Sequence, residues 1–179
     1  MEILRIVVTG SVGAGKTSFI RTISEIDVVD TDKRATDEMA EIKANTTVAL
    51  DFGRLTISPK QSLHLYGTPG QARFDFMWDI LIQKAHAYIV LIDAHRPEYF
   101  RHNRKILQFF KKRVDIPYLI GVTHSDCEGA WEADDIALSL GMLDGQAPVI
   151  TVNATEPASV REALINVVEL LTNCYQHHS

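Results

Sequence analysis

The chain has 179 residues, 46% apolar and 23% charged, enough for one buried α/β core and too few for two. Its net charge is 18 − 23 = −5 and no basic run exceeds Lys111-Lys112-Arg113, so neither a nucleic-acid partner nor a polybasic membrane anchor is expected. Cys127 and Cys174 form no metal-ligand spacing and no disulfide framework, Met1–Arg5 begins as a strand and not as a signal peptide, and there is no long apolar run or lipidation box. The expectation is a single-domain cytoplasmic protein with no intrinsic membrane anchor.

Residues 3–9 form an apolar strand, followed by Gly10-Ser11-Val12-Gly13-Ala14-Gly15-Lys16-Thr17-Ser18. The pattern G-x-x-x-x-G-K-[ST] lets a glycine-rich backbone turn its N–H groups around phosphate oxygens, while Lys16 reaches the outer phosphates and the Thr17 hydroxyl suits Mg²⁺. A helix from Lys16 to about Ile26 points its N-terminus at the same anion. Residues 27–45 are polar and acidic with weak periodicity, which reads as a functional loop or disorder.

Residues 47–57 and 62–66 read as a hairpin turning at Ser58-Pro59-Lys60, and a helix follows at about 74–85. Strands are expected at 87–93, 118–123 and 149–152, and helices at 98–113, 132–140 and from Pro157 onward. On the last helix Val160, Leu164, Val167 and Leu171 form one core-facing stripe. Strands alternating with helices give a doubly wound α/β sheet that binds ligands at the carboxyl ends of its strands.

Four loops at that edge carry further candidates. A threonine at Thr46-Thr47 suits Mg²⁺, or simply starts a β-branched strand. In Gly67-Thr68-Pro69-Gly70-Gln71 a glycine N–H can hold a terminal phosphate and Gln71 can orient water, although a plain Pro-Gly turn explains the sequence equally well. In Thr123-His124-Ser125-Asp126 the carboxylate can accept from guanine N1–H and the exocyclic amine, or merely cap a turn. Asn153-Ala154-Thr155 offers the Ala154 N–H to a base carbonyl.

Together these boxes resemble a Ras-superfamily small GTPase, most closely a bacterial group akin to Arf, Rag and MglA-type GTPases. Thr46 to Arg54 and Tyr66 to Trp78 are similar to GTPases encoded beside roadblock-type proteins in bacterial signalling operons. The resemblance implies a P-loop NTPase fold with a six-stranded, mostly parallel sheet containing one antiparallel strand. It also implies GTP/GDP with Mg²⁺, and switches at about 27–47 and 67–78. By motif position, Lys16 is the P-loop lysine, Thr17 and Thr47 are the Mg²⁺ hydroxyls, Gln71 positions water, Asp126 reads guanine and Ala154 its carbonyl. Gly10 to Ser18, Gly70, Thr123, His124, Asn153 and Thr155 complete the nucleotide site. A regulatory protein partner of the roadblock type follows, with Phe74, Phe76 and Trp78 as anchors or as a buried cluster.

Three positions depart from the pattern. Gly67 stands where an aspartate supports Mg²⁺, so either the ion is held less tightly or another carboxylate substitutes. His124 replaces a lysine that stacks over the base, which makes that contact weaker and pH-dependent. Val12 replaces a glycine and crowds the place of Gln71, so hydrolysis is expected to be slow. Two other readings stay open: a module that holds nucleotide without turnover, and an ATP-using enzyme whose Walker B element is the strand ending at Asp93.

Overall fold

The computed structural model describes residues 1–28, 50–69, 75–142 and 145–177. Strand β1, Glu2–Gly10, has strands on both sides and helices over both faces, which is why its Ile6-Val7-Val8-Thr9 stretch is wholly buried. The other strands are β2 (Asp51–Ser58), β3 (Gln61–Gly67), β4 (Ala87–Asp93), β5 (Tyr118–Thr123) and β6 (Val149–Thr151). Their order across the sheet is β2-β3-β1-β4-β5-β6; β2 runs antiparallel to β3 and every other pairing is parallel. This is the expected doubly wound sheet with one antiparallel strand.

Alternate residues feed two cores. Ile6, Val8, Leu65, Ile89 and Leu91 pack with α1 (Lys16–Ile23) and α5 (Pro157–His177), whose Val160, Leu164, Val167 and Leu171 are all buried as the stripe predicts. Val7, Tyr66, Tyr88, Val90 and Ile92 pack on the opposite face with α2 (Asp75–Ile82), α3 (Phe100–Arg113) and α4 (Ala133–Ser139). A short 3₁₀ turn at Pro97–Tyr99 leads into α3, and Gly141, with φ +69°, follows α4 where the sequence places a helix stop.

The boundaries shift where tertiary bonds intervene. Helix α1 ends at Ile23 and does not reach Ile26, because Ser24 is extended and its hydroxyl accepts the N–H groups of Ile26 and Arg54, both at 3.2 Å, stitching the chain to β2. Trp78 is core: its ring lies 5.3 Å from Phe109 and 6.0 Å from Phe110, so it belongs to the buried cluster and is no surface anchor. Phe76 is 49% exposed, and Phe74 lies outside the described residues.

Candidate functional site: a phosphate loop beside a base cleft

The loop leaving β1 can follow its path only with glycine at its ends. Gly10 has φ +142°, and a Cβ there would stand 2.2 Å from the Leu91 carbonyl oxygen. Gly15 has φ +104°, caps α1, and would press a Cβ to 3.2 Å from that of Ala154. Between them the chain turns on the Ala14 N–H to Ser11 carbonyl bond of 3.2 Å. Ser11 is buried, with its N–H and hydroxyl both donating to Asn103 Oδ1 of α3, at 3.2 and 2.7 Å.

Lys16 folds across this loop and donates from Nζ to the carbonyls of Gly10 and Ser11, at 2.8 and 2.7 Å. An ammonium has three donors, so one remains for a phosphate oxygen. Burial pushes its pKa down to about 8, and the nearby Asp51 carboxylate only partly opposes that shift. Thr17, in the first turn of α1, donates its hydroxyl to Asp51 Oδ2 at 2.5 Å. Val12 is 47% exposed on the loop's outer side.

Beside the loop lies a cleft of about 330 Å³ that unites residues distant in sequence: Gly15 and Ser18, then Thr123, His124 and Asp126, then Asn153, Ala154 and Thr155. Thr123 ties the two regions together, since its hydroxyl donates to the Ala14 carbonyl at 2.7 Å. The Ala154 carbonyl accepts from the Thr22 hydroxyl of α1 at 2.7 Å, and Asn153 Oδ1 accepts the Thr155 N–H and hydroxyl at 3.1 and 2.8 Å. These bonds shape the loop after β6 into a fixed wall. His124 takes a left-handed conformation, φ +58°, and its Nδ1 lies 3.0 Å from Thr123 Oγ1 and 3.5 Å from Asp93 Oδ2. Among the described residues nothing donates to the exposed Asp126 carboxylate, so turn capping does not occupy it.

Of the sequence-predicted loop residues Gly10 to Ser18, Gly15 and Ser18 line one cleft with Thr123, His124, Asp126 and Asn153 to Thr155, and Ala14 is bonded to Thr123. Thr47, Gly70 and Gln71 lie outside the described residues. Asp51 and Asn103 escaped the sequence reading. The hairpin gave half of the signal for Asp51: the turn at Pro59-Lys60 pairs Ser58 with Gln61, and the irregularity between Thr56 and Ser58 then sets Asp51 opposite Gly67. Asn103 left no local trace, because only helix packing brings it under Ser11.

A glycine-rich loop that opens a helix at the carboxyl end of a central parallel strand defines a P-loop nucleotide-binding domain, here on a Ras-like α/β sheet. The chain belongs to the family described as "Conserved hypothetical ATP binding protein", whose model matches residues 26–176. It is similar to the uncharacterized protein MJ1339 of Methanocaldococcus jannaschii, 32% identical over 123 residues that span 69% of this chain and 71% of that one. Its fold matches that of the Arl6 BBS3 small GTPase from Trypanosoma brucei, solved with the nucleotide analogue GppNp. The TM-score is 0.74 at 17% identity, over 96% of this chain and 99% of the other.

Proposed function

We propose that this protein binds GTP and GDP with Mg²⁺ and works as a slow molecular switch read by a protein partner. The observation that supports guanine is the unengaged Asp126 carboxylate in the cleft beside the phosphate loop. Guanine offers N1–H and an exocyclic amine to one carboxylate, whereas adenine has no matching donor pair and would leave the charge desolvated and unpaired.

Lys16, pinned on two loop carbonyls, presents its remaining donor to the outer phosphates. The residues present suit Mg²⁺, because Thr17 sets a hydroxyl against a carboxylate at the start of α1 and hard oxygen donors are what that ion prefers. Thr17 and Thr47 would hold it, and when bound it neutralises charge on the terminal phosphates. By motif position the N–H of Gly70 would hold the γ-phosphate and Gln71 would orient the water that attacks it, releasing GDP and phosphate. In this reading the branched side chain of Val12 would limit that step by crowding the place meant for the glutamine. The acidic stretch at 27–45 suits a basic or amphipathic partner surface, and the resemblance of Thr46 to Arg54 and Tyr66 to Trp78 is what suggests a roadblock-type protein and a bacterial signalling setting.

A second reading, ATP binding, is favoured by the description of the family. Its Walker B candidate, Asp93, is spent elsewhere: Oδ1 accepts the His95 N–H at 2.9 Å and Oδ2 lies 3.7 Å from Arg96 Nε. The test is to identify the nucleotide released from purified protein by mass, then to compete GTP, ATP and XTP against it. The expected result is a preference for GTP over ATP of roughly 100-fold or more, moving to XTP in Asp126→Asn, whose amide suits the C2 carbonyl of xanthine. ATP outcompeting GTP on the unaltered chain would sink the guanine reading. In single-turnover assays Val12→Gly is expected to hydrolyse GTP faster; no turnover even then would make the protein a nucleotide-holding module.

A further inference from the structure

We infer that Asp51 is the carboxylate that steadies Mg²⁺ at this site, supplied by the edge strand β2 in place of a side chain at position 67. The inference rests on the nucleotide–Mg²⁺ reading above and assigns a residue to it. Asp51 opens β2 directly opposite Gly67, the last residue of β3. The two positions compete for one space. A Cβ on residue 67 would stand 3.0 Å from Asp51 Cβ, 3.0 Å from Ile20 Cδ1 and 3.4 Å from Asp51 Oδ2. A carboxylate borne at 67 would therefore fall where the Asp51 carboxylate already is, and the glycine makes the room.

The bond to Thr17 has the polarity that a metal site needs. A hydroxyl has one donor and two lone pairs, and by donating its hydrogen to Asp51 Oδ2 the Thr17 oxygen keeps its lone pairs for a cation. Asp51 is in this sense a positioning residue, and its Oδ1 is left to accept from a water in the ion's shell. Outer-shell partners of this kind typically contribute about 10–100-fold to metal affinity. The carboxylate also sits close enough to Lys16 to act on its ammonium, which places negative charge beside the phosphate loop and not at the base cleft.

The test uses the full chain loaded with GDP carrying a fluorescent N-methylanthraniloyl group, and follows release of the label against Mg²⁺ concentration. Asp51→Asn keeps the size of the side chain and an oxygen to accept from Thr17, and removes the charge. The Mg²⁺ concentration that half-slows release is expected to rise about 10–100-fold in Asp51→Asn, while release in EDTA stays equal to that of the unaltered chain. Moving the carboxylate, in the double variant Asp51→Gly with Gly67→Asp, should restore much of the Mg²⁺ effect, whereas Gly67→Asp alone should not fold normally. An unchanged Mg²⁺ midpoint in Asp51→Asn, with labelled GDP still bound and Thr17→Ala losing the Mg²⁺ effect, overturns the role of Asp51 alone. Failure of the unaltered chain to bind labelled GDP overturns the guanine-switch reading together with it.

Discussion

Lys16 carries a cost in the free protein that a bound phosphate would relieve. Its ammonium is buried, so its pKa falls from 10.5 to about 8, while in the unfolded chain it stays near 10.5. Between these values the unfolded chain holds a proton that the folded chain has lost, so nucleotide-free stability rises as pH climbs from about 8 to 10.5. Nucleotide affinity moves the other way, falling about tenfold per unit above pH 8, because the phosphates select the protonated form. Equilibrium titrations at pH 7 to 10 check this slope, and Lys16→Arg, which cannot lose its charge in this range, should flatten it. The positions of Lys16 on the phosphate loop and of Asp126 at the adjoining cleft were legible because fixed local offsets from glycines and a strand end define them. Asp51 was not, since its meaning depends on a neighbour sixteen positions away across a ladder (67 − 51).

Among the elements, α3 does two jobs. Its inner face buries Phe100, Ile106, Leu107 and Phe110, and one turn from Phe100 the buried Asn103 holds Ser11 of the phosphate loop. Phe110 is fully buried, with ring centroids 6.0 Å from Trp78, 5.2 Å from Tyr88 and 5.6 Å from Phe109. Phe110→Ala should therefore cost roughly 3–5 kcal/mol, read as a lower denaturant midpoint at unchanged slope. The buried faces of α3 and α5 could be read from helical spacing, and β4 and β5 from unbroken apolar runs. The end of α1 could not, because Ser24 leaves the helix to bond Arg54, a partner that only the folded hairpin supplies. Trp78 was ambiguous for a related reason: an aromatic near a loop reads alike whether it faces solvent or the three aromatic side chains it meets here.

At the scale of the molecule, one sheet edge gathers the loops after β1, β5 and β6; Thr123 ties the first two together, Thr22 of α1 holds the third, and Asn103 of α3 holds the first. A ligand that spans the phosphate loop and the cleft bears on both cores at once. Nucleotide at 100 times its dissociation constant should add about 2.7 kcal/mol, which for a chain of this size raises the melting temperature by roughly 5–11 °C. Thermal unfolding with and without GDP measures it, and an unmoved midpoint would mean that the nucleotide does not bind the folded form selectively. The doubly wound layering followed from alternating elements and the antiparallel β2–β3 pair from one tight hairpin, whereas the order of the six strands did not. The ties between loops did not, because each joins residues 92 to 132 positions apart.

The hairpin gives the site a dependence on parity. From Ser58 back to Asp51 the strand covers seven steps, about 23 Å at the usual rise, so the turn lies at the opposite end of the sheet from the phosphate loop. Side chains alternate faces, so the residue set against Thr17 is fixed by whether the count from that turn is odd or even. A shift of one residue along β2 would bring Leu50 or Phe52 to that place and remove the carboxylate, although no residue near the nucleotide had changed. The irregularity already present between Thr56 and Ser58 absorbs one such step and keeps Asp51 in phase. Length variation in this distant turn is therefore constrained by chemistry at the other end of the strand.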